Sequence, residues 1–216
     1  MSDLIVTLDG PSGTGKSSVS RAVASKVDLP HLDTGAFYRA ATLAVIRAGV
    51  DPDDDKAVAD VVDNAGLGQD DGQMSLDGDD VSREIRGPEV TALVSRVASN
   101  PEVRRILVSH QREWVQRRGG RAVIEGRDIG SVVFPDATLK IFLDARPEVR
   151  AGRRSVETGK DHSAVMKDLG RRDRFDSSRA TSPLTVPEDA VVIDTSDLSF
   201  DEVVARVVDL VRDRSV

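Results

Sequence analysis

The 216-residue sequence contains no cysteine. That excludes a disulfide scaffold, a thiolate metal site and cysteine catalysis. No apolar run approaches the roughly 20 residues needed to span a bilayer. Cations are not in surplus: thirty Lys plus Arg against thirty-seven Asp plus Glu leave a net charge of −7. With a pI near 5.1, the chain lacks the basic balance of a dedicated nucleic-acid binder. Asparagine is scarce, with only Asn64 and Asn100 and neither followed by Lys, so an N-K-x-D guanine reader is missing. Met1-Ser2-Asp3-Leu4 has neither the basic nor the long apolar stretch of a signal peptide. At 39% hydrophobic and 31% charged residues the composition is globular. The expectation is one soluble, cytoplasmic domain. A monomer is the default, since no amphipathic surface is left over once the core stripes are assigned.

Leu4-Ile5-Val6-Thr7-Leu8 reads as a buried strand stopped by Asp9-Gly10-Pro11-Ser12-Gly13. From Lys16 the period changes. Val19, Ala22, Val23 and Val27 fall on one helical face that ends near Asp28-Leu29-Pro30. Ala122-Val123-Ile124, Leu139-Lys140-Ile141-Phe142-Leu143 and Ala190-Val191-Val192-Ile193 are further buried strands, and His31-Leu32-Asp33 fits a short edge strand. Asn100-Pro101 opens a helix with Val103, Ile106, Leu107 and Trp114 on its buried face. Ser199 and Glu202 form a capping box before a stripe of Phe200, Val203, Val204, Val207, Val208 and Val211. Strands alternating with helices imply an α/β fold with a parallel sheet covered on both faces. Residues 61–89, rich in Asp and Gly around Met74-Ser75-Leu76, break the rhythm and read as a small hairpin insert.

Gly10-Pro11-Ser12-Gly13-Thr14-Gly15-Lys16-Ser17 matches G-x-x-x-x-G-K-[ST], placed after a strand and at the mouth of a helix. Backbone N–H groups of such a loop, with Ser18 in the first helical turn, cradle a polyphosphate at the positive end of the helix dipole. Lys16 places a cation on the β/γ oxygens, and the Ser17 hydroxyl suits Mg²⁺. The chain therefore binds a nucleoside triphosphate. Thr158-Gly159-Lys160-Asp161 has the wrong spacing for a guanine reader. A motor ATPase would end a strand in a Walker-B acid; Glu125 stands there, followed unusually by Gly126-Arg127. A small kinase is favoured.

Joining two polyanions end to end calls for several arginines, and a phosphate acceptor needs no general base. Six of the thirty cations are Lys, leaving twenty-four Arg. Arg39 and Arg127 lie just beyond strand-like segments, where ligands collect in open α/β sheets, and Arg grips phosphate bidentately. Arg171, Arg172, Arg174 and Arg179 crowd a later segment. Three histidines, His31, His110 and His162, fall at unrelated positions and suggest no metal site.

Several blocks together resemble the signatures of bacterial cytidylate kinases. They are Asp9 to Ser17, Leu32-Asp33-Thr34-Gly35-Ala36-Phe37-Tyr38-Arg39, Glu125-Gly126-Arg127-Asp128-Ile129-Gly130, Val132 to Ala137 and Lys140 to Ala145. The run from Asp77 to Arg86 is similar to that family's insert, and the likeness covers essentially the whole chain. It implies an adenylate-kinase-like P-loop fold: a five-stranded parallel sheet with helices on both faces, a core of about 1–60 and 118–216, a monophosphate-binding insert of about 61–117, and a lid of about 150–178. It also implies the reaction ATP + (d)CMP to ADP + (d)CDP with Mg²⁺. Carried over by position, Arg39 and Arg127 hold the CMP phosphate, with Asp33, Thr34 and Tyr38 alongside. Ser95, Arg104 and Asp128 read the cytosine edge, Asp176 takes the sugar hydroxyls, and Arg172 and Arg179 stand at the lid junction. An Asp128 carboxylate facing the exocyclic amine of cytosine would meet a carbonyl in uracil and reject it. Thr34 keeps the hydroxyl of the serine often found there. Within the lid, Arg153, Arg154 and Lys160 either close over ATP or form a charged loop. Alternatives are a kinase for another small acceptor, such as UMP or shikimate, and a P-loop regulatory ATPase.

Overall fold

The computed structural model describes residues 3–70, 72–177 and 183–214. The chain divides into two compact units, residues 1–31 with 118–216 and residues 32–117. The sequence reading starts its insert at residue 61, which lies inside the second unit.

The first unit is built on β1 (Leu4–Asp9), followed by α1 (Lys16–Lys26) and then β2 (His31–Asp33), through which the chain passes to the second unit. It resumes with β6 (Arg121–Glu125), a π-helical turn (Ile129–Val133), β7 (Leu139–Asp144), α6 (Pro147–Thr158), α7 (His162–Ser177), β8 (Val191–Asp194) and α8 (Phe200–Arg214). The five strands form one parallel sheet in the order β2-β6-β1-β7-β8. Val6 pairs with Val123 on one side and Leu139 on the other, and Ile141 pairs with Val191. β1 and β7 are nearly continuous apolar runs because both faces of a parallel sheet are covered. On one face α1 and α8 pack Val19, Val23, Val203, Val204, Val207, Val208 and Val211 against Leu8, Val123, Ile141 and Ile193. Burying each such side chain contributes roughly 1.5–3 kcal/mol.

The capping box forms as expected: Ser199 N–H donates to Glu202 Oε2 at 2.8 Å and Glu202 N–H to Ser199 Oγ at 3.3 Å. Phe200 departs from the expected stripe. It is half exposed, because the first helical residue sits ahead of the turn that meets the sheet. The polar stretch after Val156 is not an open loop. α6 ends at Gly159 in the left-handed region (φ 66°) and α7 begins two residues beyond Lys160, the pair packing through Ala151, Val165 and Leu169.

The second unit holds α2 (Thr34–Arg47), α3 (Asp55–Asn64), an antiparallel sheet β3 (Leu67–Asp70), β4 (Gln73–Leu76) and β5 (Asp79–Asp80), a 3₁₀ turn (Glu84–Arg86), α4 (Pro88–Val97) and α5 (Pro101–Gln116). β4 turns into β5 through Asp77-Gly78, both at positive φ, as a tight hairpin requires. Three of these helices, α2, α3 and α5, start where short polar side chains satisfy their first N–H groups, whereas α4 opens on Gly87-Pro88 without a side-chain cap. Asp33 Oδ1 accepts from Ala36 N–H and Asp54 Oδ1 from Ala57 N–H, both at 3.0 Å. Val58, Val62, Val97, Val103, Ile106 and Leu107 form the core, joined by Ala41 and Val45. Asn100 does the most local work: its Oδ1 caps Glu102 and Val103 at 2.9 and 3.2 Å, and its Nδ2 donates to Asp55 O at 2.8 Å. Asn100→Ala is expected to lower stability by about 1–2 kcal/mol, read from denaturant unfolding at unchanged slope. A loss within error of zero would contradict the capping role.

Candidate active site

The glycine loop of the first unit is shaped by its neighbours. Gly10 sits at φ 145°, and a side-chain carbon there would overlap the Leu143 carbonyl of β7. Gly13 (φ 85°) lies against Arg150, whose carbonyl oxygen would be 3.0 Å from an added Cβ. Gly15, left-handed at φ 92°, starts α1 without a side-chain cap, so the first N–H groups of that helix lack a side-chain acceptor. That is the arrangement in which a bound anion takes the capping place. Thr14 Oγ1 donates to Pro11 O at 3.1 Å, and the buried Lys16 Nζ donates to the same carbonyl at 2.7 Å. Burial, then the nearby Arg127 charge, pull the Lys16 ammonium well below its ordinary pKa, opposed by Glu125, Asp9 and Asp176. Ser18 lies exposed on the first turn of α1.

Arg127, two residues beyond β6, reaches straight onto this loop. Its Nη2 donates to Ser12 Oγ at 2.6 Å and its Nη1 to Gly10 O at 3.0 Å, while Nε pairs with Asp176 Oδ2 at 2.9 Å. Two expected acceptor residues, Arg127 and Asp176, are thus joined, and Arg127 meets the expected ATP cradle. Arg172 on α7 pairs with Asp168 at 3.0 Å. Burial lowers its pKa against the pull of Asp168, with further lowering from the Arg154, Arg127 and Arg171 charges, so four guanidiniums share one field. Asp128 is buried at the start of the π-helical turn, with no side-chain cap bond there. Arg153 is tied to the cradle rim, donating to Thr195 O at 2.6 Å and Thr195 Oγ1 at 2.9 Å. Arg179 lies outside the described residues.

In the second unit, Arg39 on α2 donates to Ile85 O at 3.2 Å and Thr91 Oγ1 at 3.0 Å. Asp33 caps α2 and faces Arg86 at 3.8 Å. Thr34 is buried in the first turn of that helix. Arg104 on α5 is only 5% exposed and its guanidinium lies 5.5 Å from the centre of the Tyr38 ring, a cation–π distance. Two more expected residues are therefore in contact. Tyr38 itself packs on the core cluster of this unit. Ser95 is half-buried on α4.

A family model for cytidylate kinase matches residues 6–213. The chain belongs to the cytidylate kinase family. The cytidylate kinase of Mycobacterium leprae (strain Br4923) is 50% identical over 220 residues, covering 100% of this chain and 98% of that protein. The one from Rhodococcus opacus (strain B4) is 50% identical over 223 residues, covering 99% and 97%. Among solved structures, TT1252 from Thermus thermophilus superposes with a TM-score of 0.53 at 20% identity over 100% of both chains. An uncharacterized protein from Eubacterium ventriosum ATCC 27560 gives 0.57 at 12% identity, covering 98% and 99%. These last two speak for the fold alone.

Within this cytidylate kinase family member, oxygen donors fit a hard cation beside the cradle. Ser17 Oγ donates to Glu125 Oε2 at 2.7 Å, which leaves the hydroxyl lone pairs for a cation. One hydroxyl and one carboxylate, completed by phosphate oxygens and water, is a donor set suited to Mg²⁺. Two features escaped the sequence reading. Arg150, buried, donates to Ala145 O, Ser12 O and Asp173; it buttresses the loop from beneath, and one arginine among many in that segment gave no sign of it. Asp9 closes β1 by accepting from Ile129 N–H at 2.9 Å and Gly130 N–H at 2.7 Å. Burial pushes its carboxyl up to about 6 from 3.8, helped by Asp128 and opposed by those two N–H groups and by Lys16. Between those values the folded chain keeps a proton that the unfolded chain has lost, so this contribution to stability declines as pH rises. Relative to Asp9→Asn, the wild type is expected to lose up to about 3 kcal/mol from pH ~4 to ~6. A pH-independent difference in unfolding free energy would contradict it.

Proposed function

We propose that the chain transfers the γ-phosphoryl group of ATP to CMP and dCMP, giving CDP and dCDP, by direct in-line displacement. The observation that supports this most strongly is the placement of Arg127. A guanidinium held on Ser12 and Gly10, beside the buried Lys16, puts two cations at the mouth of a phosphate cradle in a chain related over its full length to cytidylate kinases.

The loop from Gly10 to Gly15 and the first N–H groups of α1, at Lys16, Ser17 and Ser18, bind the ATP phosphates. Lys16 exchanges the Pro11 carbonyl for the β/γ oxygens, where charge grows in the transition state. Ser17 would hold Mg²⁺, with Glu125 behind it, and the ion would supply neutralisation of phosphate charge. Arg39 and Arg127 take the acceptor phosphate, Arg172 and Arg179 the junction with the lid, and Asp176 the sugar hydroxyls. Asp33 fixes the start of α2, so that Thr34, Tyr38 and Arg39 keep their places along it. Arg104, stacked on Tyr38, together with Ser95 and Asp128, reads the base. No side chain has to remove a proton, because a phosphate monoester with its second pKa near 6 is mostly dianionic at neutral pH.

Residues 61–117 serve as the monophosphate-binding insert and 150–178 as the lid, whose α6–α7 hairpin carries Arg172 and Asp176. Closure of such segments excludes water from the transferring group. The working enzyme is a cytoplasmic monomer whose partners are ATP and the pyrimidine monophosphate, and a pI near 5.1 gives nucleic acid little to bind.

An acceptor screen with ATP and Mg²⁺ tests this reading. ADP release is expected to require a monophosphate and to run at least about tenfold faster with CMP or dCMP than with UMP or AMP, as a site that hydrogen-bonds the base edge discriminates. A better rate with UMP or AMP would remove the base-reading roles of Asp128 and Arg104. ATP hydrolysis indifferent to every monophosphate would favour a regulatory ATPase.

A further inference from the structure

We infer that His31 is a positioning residue for the donor site: with Ser20 it fixes the Glu125 carboxylate against the Ser17 hydroxyl. The inference rests on the ATP·Mg²⁺ reading of the cradle and concerns a residue that reading leaves unused.

Four side chains close a ring. Ser17 Oγ donates to Glu125 Oε2 at 2.7 Å. On the other carboxylate oxygen, Oε1, stands His31 Nε2 at 3.6 Å, and the same nitrogen lies 2.9 Å from Ser20 Oγ. Ser20 Oγ donates in turn to Ser17 O at 3.4 Å. With the Ser20 proton directed at that carbonyl, its oxygen accepts from His31, which places the imidazole proton on Nε2, the ring nitrogen that stands by Glu125. Ser20 is fully buried, and the His31 and Glu125 side chains are 10% and 5% exposed.

Such burial by itself works against an ionised carboxylate. Here Ser17 donates to one carboxylate oxygen and His31 stands within ion-pair distance of the other, so the buried charge is met on both sides. With a hydrogen bond on Oε2 and the imidazole within ion-pair distance of Oε1, the carboxylate is held against turning about its own bond, so it keeps taking the Ser17 proton. The lone pairs of Ser17 Oγ then stay turned toward the cradle. Groups one step removed from a cation often set its affinity by orienting its ligands in this way.

The test is ATP binding by calorimetry, with Mg²⁺ and with chelator, on wild type, His31→Ala, His31→Gln and Glu125→Gln. Mg²⁺ should tighten ATP binding to the wild type. His31→Ala should cut that gain by roughly tenfold and leave metal-free ATP binding unchanged. His31→Gln, which keeps an N–H donor near the same place, should recover most of the gain. Adding His31→Ala to Glu125→Gln should cost nothing further. If His31→Ala keeps the wild-type Mg²⁺ gain, or weakens ATP equally with and without Mg²⁺, His31 is a packing residue and the inference fails. If the wild type binds no ATP or gains nothing from Mg²⁺, the cradle reading fails and takes this inference with it.

Discussion

Backbone crowding at Gly10 governs the rest of the molecule. β1 ends against β7 so closely that only glycine can make the turn beside the Leu143 carbonyl, and the chain then has to bend over the start of α1. That bend leaves the helix N-terminus without a side-chain cap, the kind of end at which N–H groups can receive an anion. Sheet pairing, the burial of α1 against β6 and the apolar stripe of α8 all hold this one turn in place. Arg150 supports it from below through Ser12 O, and Arg127 clamps it from the side. A polyphosphate site thus arises from packing constraints on a strand–helix junction.

Charge follows from that geometry. The cradle gathers buried and half-buried cations, and each is met by a carboxylate that offsets its desolvation: Arg127 by Asp176, Arg150 by Asp173 and Lys16 by the fields of Glu125 and Asp9. An acidic chain with strongly clustered arginine reconciles two needs. The anion site requires local positive charge, and the fold requires that none of that charge be buried alone. Arg127 is thereby shared between the loop and Asp176 of α7.

Some of this was legible in the sequence and some was not. β1, the glycine loop and the start of α1 follow from one contiguous run, Leu4 to Ser17, since local chain geometry dictates them. The capping residues Asn100 and Ser199 and the edge strand at His31 were equally readable, each being a short-range pattern. α3 and α4 were not: Asp54 capping a helix and the Val58/Val62 face are weak signals in an Asp-rich stretch. Burial of single cations was also out of reach. Arg104 over Tyr38 and Arg150 under Ser12 depend on partners dozens of residues away, and nothing in the spacing of arginines separates them from solvated neighbours. In sequence the segment holding Arg153, Arg154 and Lys160 stays open between closing over ATP and a charged loop, because α6 and α7 share apolar contacts through only a few residues.

The account stands or falls on Lys16 acting where charge develops on the transferring phosphoryl group. Lys16→Met keeps the buried stem and removes the ammonium, so phosphoryl transfer from ATP to CMP, followed by phosphorus NMR alongside circular dichroism, isolates the charge. The account predicts a native spectrum with kcat lowered at least about 100-fold. A folded variant with kcat near that of the wild type would contradict it.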